Sequence, residues 1–235
     1  MNKITKRGFV PEDAAYFAPE AIIKMKKAAH EILFLLNRGY SVSKVSTFVG
    51  NHYLFSERQR MALVRSVSTD RETAARIRKQ IRTPEPGAVL NIDGFNTIIT
   101  LEVAFSDSPF FECMDGTVRD IAGLRGTYRL IDKTDPALSA IGSVLEKHRI
   151  KQANFYLDAP VSNSGRLGQR IRETFASAPF DTEVFVINHV DQVLCGLDHV
   201  VTHDSVILDH CGSWYNLVRE VLEDKGLMDR AIRIW

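Results

Sequence analysis

Cysteine is scarce in this 235-residue chain: Cys113, Cys195 and Cys211 are all it has. They are odd in number and far apart, with no Cys-x-x-Cys pair, so no disulfide framework, zinc knuckle or dithiol redox motif is written here. They read as ordinary reduced thiols of a cytoplasmic protein. Long apolar runs are lacking too. The best of them, Ile32 to Leu36, falls far short of the ~20 residues that a membrane span requires. The basic stretch Met1 to Val10 has no apolar core behind it, so the expectation is a cytosolic, unprocessed chain. Repeats and low-complexity segments are absent from the sequence, and the net charge is only +1.

That neutrality hides an asymmetry. Residues 1–87 carry 16 Lys+Arg against 8 Asp+Glu, net +8, whereas the remainder carries 14 against 21, net −7. A basic piece joined to an acidic piece suggests a module that binds a polyanion; mutual attraction between the two pieces would also account for it. The basic piece reads as all-helical. Pro19 opens a helix whose apolar residues recur at helical spacing up to Gly39; further helices fit Ser43 to Val49, Ser56 to Ser66 with Ser56 as cap, and Thr69 to Ile81. After Pro84 and Pro86, short apolar runs alternate with longer helical ones, the pattern of an α/β domain with a mostly parallel sheet. The expected domains are therefore 1–87 and 88–235. Strands fit Val89 to Ile92, Ala153 to Leu157, Glu183 to Ile187 and His199 to Thr202, with a further one near Phe110 to Cys113; helices fit Asn96 to Phe105, Pro136 to His148, Gly165 to Ala178, Ser205 to Leu208 and Trp214 to Lys225.

Each of the four main strands is followed within a few residues by an aspartate: Asp93, Asp158, Asp191 and Asp204. In a parallel sheet these ends share the carboxyl edge, where α/β proteins form their binding crevices. Grouped carboxylates repel one another unless cations neutralise them, and hard oxygen ligands suit Mg²⁺ or Mn²⁺. Asn96 supplies a further polar group near the same crevice. Aspartate is also a favoured helix cap, which accounts equally well for any single member of the set.

The segments "DGFN" at Asp93, "FYLD" at Asp158, "NHVDQVL" at Asp191 and "VVTHD" at Asp204 resemble, in order and spacing, the serial acidic motifs of PIN-like nucleases, particularly the NYN branch, over about residues 88 to 210. The resemblance implies a three-layer α/β/α fold, a divalent metal and cleavage of RNA, with Asp93, Asp158, Asp191 and Asp204 facing the metal and Asn96 in support. The N-terminal helices, with Leu35 to Ser66, are similar to a largely archaeal family known as domain of unknown function 434, from which no activity follows. "CMDGTVRD" (Cys113 to Asp120) shares Asp-Gly-Thr with haloacid-dehalogenase-type phosphatases, but Cys113 stands where their nucleophilic aspartate belongs, and this removes phosphoaspartate chemistry. Asp115 and Asp120 could instead add ligands, and Arg119, Arg125 and Arg129 could bind phosphate.

Substrate contacts are expected from two places. Ser162, Asn163, Ser164, Gly165 and Arg166 open a helix after Asp158 and suit a phosphate, or simply cap the helix. Arg58, Arg60 and Arg65 share one helix of the basic piece, with Lys44, Arg71, Arg76, Arg78, Lys79 and Arg82 nearby; Tyr40, His52 and Tyr53 could stack on unpaired bases. His189 and His203 lie beside aspartates, but strand alternation is expected to turn His203 away from Asp204. The leading expectation is a metal-dependent ribonuclease using Mg²⁺ or Mn²⁺, with a nucleic acid, RNA above DNA, as its partner. The alternatives are a non-catalytic nucleic-acid-binding adaptor and a metal-dependent hydrolase of a small phosphorylated molecule.

Overall fold

The computed structural model describes residues 5–123 and 126–235. Arg125 and the first four residues of the basic N-terminal stretch lie outside them. After the short α1 (Asp13–Tyr16), the chain forms α2 (Pro19–Leu36), α3 (Val42–His52), α4 (Glu57–Ser66) and α5 (Asp70–Lys79). Pro19 stands in the first turn of α2, where its missing N–H costs nothing. Met25, Ala28, Ala29, Ile32 and Leu36 form the buried stripe. α4 and α5 each start in a reciprocal capping box, Ser56 with Gln59 and Thr69 with Glu72.

Next come β1 (Gln80–Ile81), β2 (Val89–Asp93), α6 (Gly94–Phe105), β3 (Phe110–Glu112), β4 (Val118–Asp120), α7 (Thr134–Lys147), β5 (Gln152–Asp158), α8 (Ser164–Phe175), β6 (Asp181–Ile187), α9 (Val190–Leu194), β7 (Val200–Val201), α10 (Ser205–His210), β8 (Trp214–Tyr215) and α11 (Leu217–Asp224). Six strands form one sheet in the order β1-β8-β7-β2-β5-β6, and all its pairs are parallel. β3 and β4 form a separate antiparallel hairpin.

Leu90 and Ile92 of β2, Phe155 and Leu157 of β5 and Val201 of β7 belong to the main core with residues of α6, α7, α8 and α11. Val200, Trp214 and residues of α9 and α10 form a second core. Neighbouring strand residues point to opposite faces, so helices pack on both faces of the sheet. Among the described residues, no helix is long and apolar enough to cross a membrane.

Two expectations about the elements need correction. Trp214 begins a strand rather than a helix: its indole is buried and donates from Nε1 to the Arg76 carbonyl, and the helix starts only at Leu217. The helix expected to reach Ile81 stops at Lys79, because Gln80 and Ile81 extend to pair with β8. The short runs β4 and β8 carry too little alternation to be legible in the sequence.

The basic piece and the acidic piece are interlocked. The core of the helical part includes Phe111, Ile121 and Ile234 from far down the chain, and β1 gives the helical part's last residues to the sheet. Arg76 of α5 bonds Asp115 and Asp209, while Arg119 bonds the same Asp115.

Gly94, directly after Asp93, is required by close approach and not by turn geometry. A Cβ there would stand 2.6 Å from Leu157 Cδ2 and 3.0 Å from the Tyr156 carbonyl oxygen. Gly94→Ala is expected to force α6 away from β5 and to cost about 1–3 kcal/mol, read as a lower urea midpoint with an unchanged slope.

Candidate functional site

Beginning at β2, the chain runs outward through β5 to β6 and then returns to β7 on the other side of β2. Such a reversal leaves a crevice at the carboxyl ends of the strands. A cleft of about 210 Å³ opens there, and Asp93, Asp120, Asp158, Asp191 and Asp204 all line it, with Asn96 and Arg65.

The local sequence explains how each carboxylate arrives. Asp93 ends β2 and caps α6, its Oδ1 accepting from Asn96 N at 3.4 Å and its Oδ2 from the Thr202 hydroxyl at 2.9 Å. Asp204 caps α10, with Oδ1 accepting from Val206 N and Ile207 N at 2.8 and 3.3 Å. Capping and clustering are thus one arrangement: a short side chain that turns back to cap a helix at the carboxyl edge also stays at the cleft. Asp158 ends β5 and accepts from the Val190 backbone, and Asp191 sits exposed in the first turn of α9. Asp120 comes from the hairpin, where it accepts from the Thr100 hydroxyl at 2.6 Å and from Ala122 N at 2.8 Å.

The electrostatics are those of a cluster short of positive charge. Burial, with the Asp204 and Asp191 charges adding to it, pushes the Asp93 carboxyl up to about 8 despite the Thr202 and Asn96 hydrogen bonds. Burial raises Asp158, and burial with the charges of Asp204 and Asp158 raises Asp191. Among the described residues none of Asp93, Asp158, Asp191 and Asp204 makes an ion pair; Arg65, with Nη1 3.9 Å from Asp120 Oδ1, is the nearest basic group at the cleft. Among the described residues no group of three or more acidic, histidine or cysteine side chains is arranged to hold a metal ion as it stands.

A stability consequence follows. On unfolding, Asp93 ionises near 3.8, but when folded it keeps its proton to about pH 8. The folded chain therefore binds the extra proton between those limits and loses stability as pH rises through them. In EDTA the urea midpoint is expected to fall between about pH 5 and pH 8, and the fall is expected to be smaller in the Asp93→Asn chain; equal pH dependence in both chains would refute the assignment.

Other expected site residues lie as follows. Asn96 borders the cleft, its Oδ1 accepting from His203 N at 3.3 Å, and its amide N–H groups have no hydrogen-bond partner among the described residues. His203 lines the cleft, with its imidazole Nε2 at 3.0 Å from the Thr100 hydroxyl and its ring near Asp120, Arg119 and Arg65. Burial holds its imidazole below the ordinary histidine range, which favours the neutral ring. Asp115 is withdrawn from the cleft into the ion network with Arg76 and Arg119. Thr100 and Thr202, which hold Asp120 and Asp93, had no separate signal in the sequence beyond Thr202's place in "VVTHD".

Arg58 is engaged in a bidentate pair with Asp13 and reaches the Ile121 and Gly8 carbonyls. Arg60 bonds the Phe55 carbonyl and Asn51, packed under Gly50. Of the three arginines expected on α4 to bind substrate, Arg65 alone lines the cleft. Ser162 and Asn163 both bond the Tyr128 backbone, bracing the segment beside the cleft. Ser164 is buried in the first turn of α8, and Arg166 is exposed.

Fold and cleft together define a parallel α/β protein with an acidic crevice at the carboxyl edge of its sheet, braced by an N-terminal helical part. Residues 85–220 match the family described as Domain of unknown function (DUF5616), and the chain belongs to it. Residues 24–79 match the family described as Protein of unknown function (DUF434). The uncharacterized protein MJ0935 of Methanocaldococcus jannaschii is 33% identical over 204 residues, which are 86% of this chain and 98% of that one. No solved structure matches the chain.

Proposed function

We propose that this chain is a metal-dependent nuclease that hydrolyses RNA phosphodiesters at the acidic crevice, using Mg²⁺ or Mn²⁺. The observation that carries the reading is Asp93: a buried carboxylate pushed up to about 8, among four other aspartates lining one cleft, with no ion pair of its own among the described residues. Such a group gains most from a cation, and its donors are the hard oxygens that Mg²⁺ and Mn²⁺ take. An ion at the cleft would be held partly through water, as Mg²⁺ commonly is. The helices on both faces of the sheet and the order of the acidic motifs are in keeping with a PIN-like, three-layer α/β/α domain.

Asp93, Asp158, Asp191 and Asp204 would hold the metal, which when bound activates a water and offsets charge developing on the phosphate. Asn96 offers amide N–H groups to a phosphate oxygen or to a water. Arg65 stands at the rim beside Asp120, placed to bind a phosphate next to the one being cut. The test is cleavage of labelled single-stranded and hairpin RNA with Mn²⁺ or Mg²⁺, with EDTA and Asp93→Asn controls. Cleavage lost in both controls is the expected result; cleavage that survives either one would sink the reading.

A further inference from the structure

A second and larger cavity, about 890 Å³, runs on from the acidic cleft and shares Arg65, Asn96, His203 and Asp204 with it. It lies between the two parts of the chain: the α2–α3 turn and α5 on one side, the end of β7 and the start of α10 on the other. Arg76 and Arg119 also line it, but both are buried and their charges are taken up by Asp115 and, for Arg76, by Asp209 as well. Two further arginines on it have donors to spare. Arg65 is 39% exposed at its side chain and donates to the Asp120 carbonyl, with the Asp120 carboxylate 3.9 Å away, and Arg71 is exposed with no ion pair among the described residues. Tyr40, on the α2–α3 turn, also lines it and stands 58% exposed.

From this placement we propose that the groove is the track of a single RNA strand leading into the acidic cleft, with Arg65 and Arg71 on successive phosphates and Tyr40 stacked on a base beyond them. The inference rests on the nuclease reading for what happens at the cleft, but strand binding itself needs no cleavage. Exposed arginines and an aromatic along one groove are the arrangement by which proteins hold unpaired strands without reading their sequence. Of the acidic groups in the groove, Asp209 is paired to Arg76 and Glu72 is held in the capping box of its own helix, while Asp204 stands where the groove meets the acidic cleft, at the end where the metal would sit. A duplex, with its bases paired and stacked inside, offers Tyr40 no face to meet.

The test is fluorescence anisotropy of a short labelled oligouridine on the full chain in EDTA, so that no strand is cut, with a duplex RNA of the same length alongside. Tyr40→Ala and Arg71→Glu are each expected to weaken single-strand binding by about fivefold or more. Arg71→Glu should also reduce the salt dependence. Both residues are exposed and without partners that the fold needs, and far-UV circular dichroism checks that the variants stay folded. Phe48→Ala serves as the control: its ring is 70% exposed on the helical part and does not line the groove, so affinity should not change. Unchanged affinity in both groove variants, duplex bound as tightly as single strand, or no binding by the natural chain would each overturn the proposal. Binding that follows these expectations in a chain that cuts no RNA would reject the nuclease reading and leave the strand track standing.

Discussion

Asp93→Asn protein is expected to lose metal-dependent RNA cleavage by more than ~100-fold, since even residues that merely orient a metal's ligands change affinity or activity by ~10–100-fold when removed. The substitution keeps size and shape. The amide oxygen still accepts from Asn96 N, and its N–H₂ meets the Thr202 hydroxyl, which turns to accept. What is removed is a charge that burial, Asp204 and Asp191 all oppose. In EDTA the variant is therefore expected to be at least as stable as the natural chain at about pH 8, so lost activity and intact fold separate cleanly. An inactive variant that had also unfolded would point instead to Asp93 as a structural cap, whose loss costs ~0.5–2 kcal/mol. A variant that cut RNA normally would remove Asp93 from the chemistry altogether. Sites that gain stability when a functional group is deleted are a familiar cost of activity.

The largest stability effect is expected at Asp115, some way from the cleft. Its carboxylate is fully buried and accepts from Arg76 Nη1 at 2.9 Å, Arg119 Nη2 at 2.6 Å and the Thr117 hydroxyl at 2.6 Å. Asp115→Ala leaves the two buried guanidinium groups short of their shared counter-charge, with only Asp209 left to Arg76. Breaking a buried pair in this way costs about 3–5 kcal/mol, far more than the net value of the pair, because the uncompensated charge remains inside. For a chain of this size that is a fall in Tm on the order of 10 °C. The pH dependence has the opposite sign to that of Asp93. Burial would raise Asp115, but Arg119, Thr117 and Arg76 outweigh it and hold the carboxyl down at about 2. Its contribution is complete above the ordinary value near 3.8 and is lost as pH falls through about 2. Acid unfolding monitored by circular dichroism should therefore start at lower pH in the natural chain than in Asp115→Ala. Equal acid midpoints would mean that the network adds nothing to the joint between helices and sheet.

The physical reason that the aspartates were legible is local. A parallel strand ends where a helix begins, the helix start wants a short acceptor, and Asp93 and Asp204 meet that demand. Any sequence that alternates strand and helix and ends its strands on aspartate gathers carboxylates at one edge without further instruction. Periodicity likewise marked α2 through α8 to within a few residues, since each has its own apolar stripe or cap. Trp214 was misread because a two-residue strand has no period to display.

What the sequence by itself determined, then, is an acidic α/β part with its carboxylates on one edge, preceded by a basic helical part. Tertiary structure decided which charges stay free. Arg58, Arg60 and Arg76 look alike in a list of basic residues, yet Asp13, Asn51 and Asp115 take them inward, while Arg65 and Arg71 remain at the groove. It also decided that Asp120, from the hairpin, joins the strand-end set and that Asp115 leaves it. The outcomes at Arg58 and Arg76 depend on partners 39 to 133 residues away, such as Asp115 and Asp209 for Arg76, and contacts at that separation carry no periodic signal along the chain.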